Sequence, residues 1–253
     1  MDNKDLLNDI KNISTNESPK NVVSSDGLAC NPTNCPPDMT PIKLSDEYHT
    51  KIIIVRHGES LGNAARMFLG HSDQDLSERG YLQAERTGEL LSTLHIDKIY
   101  SSDLLRAYNT AFQIAKHHNL EVEKSRGLRE IFLGEWEGMT TDAIEIKYPE
   151  LFNTWKNDFG NAVCPGGEST SALQNRIYDE VLRLAKLNEG KTIVLAFHGA
   201  AIRMFWARIL GVSLDDLNNT VQFAYNASVS LAYFDNGKFI PAEHSHMAHL
   251  TDI

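Results

Sequence analysis

Apolar residues along the chain fall into two regimes, and the change comes at Lys51. Before it, residues 1–48 are rich in Asn, Ser, Asp and Pro and show no sustained hydrophobic period. Such a stretch buries too little apolar surface to offset the entropy lost on ordering, so it reads as an extension, disordered or loosely packed, with one short amphipathic turn at DLLNDI. From Lys51 the run KIIIV is apolar and β-branched, which predicts a buried strand ending at Arg56-His57-Gly58. A second strand is expected at residues 97–102, DKIYSS. The third, TIVLAF at residues 192–197, runs into another His-Gly pair, His198 and Gly199.

Helical spacing of three and four fills the intervals. Leu104, Leu105, Tyr108, Ala111, Phe112 and Ala115 mark one apolar face, and Leu173, Ile177, Val181 and Leu184 mark another, capped by Ser169 or Thr170. Residues 228–239 alternate and turn at Asn236-Gly237, the pattern of a hairpin that completes a sheet at its edge. Strands alternating with helices predict an α/β fold: a three-layer α/β/α sandwich with a mainly parallel, mixed sheet, occupying residues 49–253. In such sheets ligands collect beyond the carboxyl ends of the strands, where both His-Gly pairs fall.

Composition narrows the classes. With 253 residues, 42% hydrophobic and 23% charged, the chain has material for a sizeable core. It has no apolar run long enough to span a membrane, and the start MDNKDLLNDIKN lacks the features of a secretory signal, so a cytoplasmic location is expected. Cys30, Cys35 and Cys164 show no paired metal-ligand spacing and read as reduced thiols, although Cys30 and Cys35 are near enough in sequence to pair. A formal charge of −10 repels nucleic acid and anionic membrane alike, so neither is expected as a partner, and any anion site must be a local cationic cluster.

Candidates for such a cluster sit at the strand ends. In RHGES, Arg56 flanks His57, and Gly58 allows a ligand close to the backbone. Arg106 lies in the first turn of the helix after the second strand, where amides and dipole already favour an anion. Glu130 stands among Leu128, Ile131, Phe132 and Trp136, an apolar setting expected to favour a protonated carboxyl. His198 closes the third strand. Taken singly, each has a plain alternative: a structurally bonded core histidine for His57 and His198, a solvated helix arginine for Arg106, a surface loop acid for Glu130.

Together these segments resemble the histidine phosphatase superfamily, the phosphoglycerate-mutase-like group, from about Lys51 onward. The resemblance is carried, in order, by RHGES with Asn63 after it, LSERG at residues 76–80, SSDLLRA, the Glu130 loop, PGGES at residues 165–169 and AFHG. It implies that His57 is the nucleophile, that Arg56, Arg106 and His198 hold the phosphoryl oxygens, and that Glu130 is general acid and base. It further implies that Asn63, Gly70 and Gly199 contact phosphate or substrate, although Asn63 also suits a turn, and that no metal or other cofactor takes part. Arg56 and Arg106 would oppose protonation of His57 and keep it nucleophilic. Ser60 and Glu59 suit fixing the loop as well as touching substrate, and Asn226 is a further candidate for the site.

The expected reaction is hydrolysis of a small-molecule phosphomonoester through a phosphohistidine. Mutases of the group carry a long basic insertion before PGGES; here residues 138–165 hold only Lys147 and Lys156 as cations, against several acids. A bisphosphate-dependent phosphoglycerate mutase is therefore the alternative, followed by a non-catalytic phospho-ligand binding module. A metal hydrolase is suggested only by the tract His244, His246 and His249, which is expected to be solvated. The helical stretch at residues 140–157, with Tyr148, Phe152 and Trp155, is expected either to wall or cover the pocket or simply to pack in the core.

Overall fold

The computed structural model describes residues 39–251 and 253. Its elements run β1 (Thr50–Arg56), α1 (Leu61–Ala64), α2 (Glu78–Leu91), β2 (Lys98–Ser102), α3 (Leu105–His118), β3 (Val122–Ser125), α4 (Thr141–Lys147), α5 (Pro149–Asn157), α6 (Thr170–Leu187), β4 (Thr192–Phe197), α7 (Gly199–Leu210), α8 (Leu217–Thr220), β5 (Val229–Asp235) and β6 (Lys238–His246). The strands form one sheet in the order β3-β2-β4-β1-β5-β6. The first four of that order are mutually parallel, while β5 runs antiparallel to β1 and β6 antiparallel to β5, as the expected mixed sheet requires. The hairpin turns at Asn236 and Gly237, both with positive φ (49° and 78°), the geometry that makes Asn-Gly favourable there.

Period-two alternation in the buried strands divides the core. Ile52 and Ile54 of β1 and Ile193, Leu195 and Phe197 of β4 face α6 and α7, where Leu173, Ile177, Val181 and Leu184 are fully buried. Ile53 and Val55, with Val194 and Ala196, face α2 and α3 through Leu90, Leu91, Ala111 and Ile114. The result is the three-layer sandwich. Ser169 caps α6 by accepting from the Ala172 amide, settling the choice between Ser169 and Thr170.

Three expectations need correction. The buried face of α3 is Leu104, Ala107, Ala111, Ile114 and Ala115, whereas Phe112 is 46% exposed. Helices α2 and α3 approach closely: a Cβ on Gly88 would lie 2.9 Å from the Gln113 carbonyl oxygen, so small residues line the contact and Phe112 turns outward to stack on Tyr108. Residues 140–157 form two helices, because Pro149 lacks an amide proton and drives Tyr148 out of helical geometry (ψ 55°). The histidine tract is packed: His244 meets Trp206 and the Gln222 carbonyl, His246 meets Glu243, and His249 is buried against Thr87.

The turn DLLNDI and Cys30 and Cys35 lie outside the described residues. Residues 39–48, at the end of the stretch read as an extension, contain no helix or strand, yet Ile42 is buried on the α2–α3 side and Tyr48 packs on Tyr233. Cys164 is buried, which pushes its thiol up to about 12. Among the described residues no helix is long and apolar enough to cross a membrane.

Candidate active site

Register between two parallel strands creates the site. Arg56 of β1 pairs with Phe197 of β4, so the next residues, His57 and His198, leave neighbouring strands side by side. The His57 amide donates to the Phe197 carbonyl at 3.0 Å, and the two rings stand 5.1 Å apart, edge to face. On the far side of β4, strand β2 ends at Ser102 and α3 begins, delivering Arg106. Three adjacent strand ends thus supply one nucleophile candidate and its anion-binding partners.

His57 has a defined tautomer. Its Nδ1 lies 2.6 Å from the carbonyl oxygen of Gly58, and since a carbonyl only accepts, Nδ1 carries the proton. Nε2 is left with its lone pair on a ring that lines the cavity. Burial holds His57 well below the usual histidine range, reinforced by the charges of Arg106 and Arg56 and opposed by the Gly58 bond. The neutrality expected from the arginines is present, with burial as its larger cause.

Two glycines lock the loop that carries this ring. A Cβ on Gly58 would sit 2.4 Å from the Gly80 carbonyl oxygen, and one on Gly80 would sit 1.9 Å from the Glu59 oxygen. RHGES and LSERG therefore meet backbone to backbone, with Ser77 Oγ donating to Glu59 at 2.7 Å. Gly58 also donates to Thr110 Oγ1 at 3.0 Å, and Thr110 donates to the Arg106 carbonyl, tying the loop to α3. Ser60 and Asn63 form a capping box on α1, and Asn226 reaches both the His57 carbonyl and Asn63 Oδ1. Glu59, Ser60 and Asn226 accordingly position the loop, while Asn63 also lines the cavity.

Both arginines are oriented by backbone carbonyls. Arg106 is buried, with Nη1 donating to Ser72 and Nη2 to Gly70; burial lowers it to about 10, against the pull of Glu130, Asp73 and Glu137. Arg56 donates to Ala224 at 2.5 Å, and its guanidinium lies against Gly199, where a Cβ would approach its Cζ to 3.2 Å. Gly70 (φ +50°) and Gly199 both line the cavity; the Gly70 loop is held by Glu137, whose Oε1 accepts from the His71 amide at 2.7 Å. Nε of Arg56 and both ring nitrogens of His198 are buried without a partner. Such groups are costly to bury, about 1–3 kcal/mol each, and an anion's oxygens would satisfy them. His198 is fully buried behind the cavity wall, and burial holds it well below the usual histidine range.

Glu130 departs from its expected surroundings. Its carboxylate accepts from the amides of Ala200 and Ala201 at the start of α7, both at 3.1 Å, and from Ile131 at 2.9 Å. The setting is a helix N-terminus facing two arginines, not an apolar pocket. Its own carbonyl is gripped by Arg176, which also takes the Gly127 and Arg129 carbonyls and pairs with Glu168 of PGGES at 2.7 Å. Arg176, Glu137 and Thr110 escape sequence reading because their partners are distant main-chain groups. Trp155 lines the cavity, whereas Phe152 packs behind it and Tyr148 hydrogen-bonds Glu135. The cavity itself measures about 240 Å³.

His57, Arg56, Arg106 and Glu130 line one cavity and His198 is buried behind them, a cationic setting suited to a phosphoryl group. The model of the histidine phosphatase superfamily (branch 1) matches residues 52–245. Phosphoserine phosphatase 1 of Hydrogenobacter thermophilus is 38% identical over 186 residues, 73% of this chain and 87% of that one. Phosphoglycerate mutase-like protein 4 of Arabidopsis thaliana is 37% identical over 166 residues, 64% and 72% of the two chains. Among solved structures, Bacillus stearothermophilus YhfR superposes with a TM-score of 0.76 at 30% identity, covering 79% of this chain and 98% of its own. The chain belongs to the histidine phosphatase superfamily, and its class of activity is phosphomonoester hydrolysis.

Proposed function

We propose that the protein hydrolyses a small phosphomonoester with His57 Nε2 as nucleophile, and the observation that carries this reading is the Nδ1–Gly58 bond, which fixes the free lone pair on Nε2. In the first step a P–N bond forms as the ester P–O bond breaks, and the departing oxygen takes its electron pair and a proton from Glu130. In the second step the Glu130 carboxylate takes a proton from water, the water oxygen bonds to phosphorus, and the P–N bond returns its pair to Nε2. Arg56, Arg106 and His198 face the charge that spreads over the equatorial oxygens, a task electrostatics accomplishes with little further chemistry.

The mutase reading is less well supported. Of the two cations in residues 138–165, Lys156 pairs with Glu145 at 2.7 Å and Lys147 lies over the Tyr148 ring, and neither lines the cavity. Phosphate release from a panel of phosphomonoesters, measured for wild type and His57→Ala with a strong chelator present, tests the proposal. Turnover that survives the chelator and vanishes in His57→Ala is expected. Conversion of 3-phosphoglycerate to its isomer on addition of a bisphosphate primer, without phosphate release, would establish the mutase instead.

A further inference from the structure

The cavity is charged at one end only. Its cationic lining side chains are Arg56 and Arg106, and both belong to the phosphoryl end. The wall left for the rest of a substrate is apolar: Met67, Phe68, Leu69, Leu133, Trp155 and Phe223. The rings of that wall pack on one another. Phe68 meets Trp155 edge to face at 5.3 Å, Trp155 meets Phe159 at 4.7 Å, and Phe159 meets Phe223 at 5.3 Å, a continuous train of rings.

Arg203 and Arg129, which do not line the cavity, are already committed, and Arg66, next to Met67 in sequence, is exposed and turned toward Asp142 at 3.9 Å. The Arg203 guanidinium lies 4.4 Å from the Phe223 ring centre, on the far side of the wall, and donates to the Val221 and Leu217 carbonyls and to Asn218. Arg129 is forked onto Asp103, with both bonds at 2.7 Å. A carboxylate or second phosphate on the leaving group would lose its water against aromatic rings with no counter-charge to replace it, which is strongly unfavourable. An apolar group there gains instead, and ring faces and edges favour an aromatic one.

We propose that the physiological leaving group is an uncharged, apolar alcohol or phenol, so that the substrate class is aryl or arylalkyl phosphomonoesters rather than amino-acid phosphates, phosphoglycerates or bisphosphates, with Met67, Trp155 and Phe223 setting the preference. The inference rests on the phosphatase reading for its reaction and on the wall for its specificity. It separates this chain from the substrate named for its Hydrogenobacter relative.

The test uses matched primary-alcohol esters, so that leaving-group acidity does not decide the outcome. Wild-type protein is assayed on 2-phenylethyl phosphate and phosphoserine, and its affinities for two unhydrolysable phosphonates, 3-phenylpropylphosphonate and 2-amino-4-phosphonobutanoate, are measured by calorimetry. The aromatic member is expected to win by about tenfold or more in kcat/KM and in affinity, the range over which apolar pocket contacts discriminate. Met67→Lys, which places a cation on the wall, is expected to narrow both gaps. Equal or tighter binding of 2-amino-4-phosphonobutanoate by wild type would overturn the proposal. Hydrolysis of both esters with equal kcat/KM would overturn it too, while leaving the phosphatase reading intact. Discrimination between the phosphonates with neither ester hydrolysed would uphold the proposal for the wall and sink the phosphatase reading.

Discussion

Arg176 holds Glu130 from behind, donating to its main-chain carbonyl at 3.1 Å while the carboxylate points the other way, to the start of α7. The same guanidinium takes two more carbonyls of that loop and is braced by Glu168. Arg176 is thus a positioning residue for the acid. Arg176→Ala should lower kcat on alkyl phosphates by up to about 100-fold, the scale of a misplacement near 1 Å, with a smaller loss on aryl phosphates. Arg176→Lys should recover little, since an ammonium cannot fork across three carbonyls and a carboxylate. A uniform loss on both ester types, tracking the loss of Tm, would assign the residue to stability alone.

Glu130→Gln tests the acid itself. The amide nitrogen of glutamine cannot accept from the α7 amides and cannot protonate a leaving oxygen. We expect kcat on alkyl phosphates to fall by about 100-fold or more, and kcat on nitrophenyl phosphate much less, because that leaving group departs without a proton. Equal losses would show that Glu130 serves the phosphoryl group rather than the leaving oxygen.

Much of this arrangement is legible in the sequence. His57 and His198 stood out because each follows a strand whose apolar, β-branched run is unambiguous, and parallel pairing makes strand ends neighbours. Arg106 was legible for a similar reason, as the first turn after a strand. Arg176 was not: an arginine eight residues after Glu168 on an amphipathic helix reads like any solvated side chain, and its partners are carbonyls about 46 to 49 residues away. Strand β3 was missed because VEKS has only one apolar residue and lies at the sheet edge, where propensity is weak. The setting of Glu130 was misread because its neighbours in sequence are apolar while its neighbours in space are the amides of α7.

The contact between RHGES and LSERG leaves no room for a methyl group. Gly80→Ala would place a Cβ 1.9 Å from the Glu59 carbonyl oxygen, and both partners there are backbone. Overpacking of this kind costs about 1–3 kcal/mol, and here it displaces the loop that aims His57. Chemical denaturation should show a loss in that range, and kcat should fall together with it. A fully active, equally stable Gly80→Ala protein would mean the two loops have slack.

Acid should weaken the fold through its buried histidines. Burial lowers His57, His198, His244 and His249 in the folded chain, the last to about 4. Once pH falls below about 6.5 the unfolded chain binds protons that the folded chain refuses, at up to ~1.4 kcal/mol per pH unit for each histidine. Their contribution is therefore complete above about 6.5 and drains away as pH falls, ending near about 4 for His249. His249→Asn should lower Tm at neutral pH and flatten its decline between those limits; an unchanged slope would refute the assignment. By the same shift, kcat/KM corrected for ionisation of the substrate should not fall as pH passes from 7 through 6.

The bond from His57 Nδ1 to the carbonyl of Gly58 joins two consecutive residues. The tautomer of the proposed nucleophile is consequently written into a dipeptide, and no distant side chain has to be kept to hold that proton. Every residue on the aromatic wall can drift, one substitution at a time, without turning the attacking nitrogen away. Descendants of such a site can exchange one alcohol for another while inheriting the same chemistry intact, which makes the wall, and not the histidine, the place to look for what distinguishes this chain from its relatives.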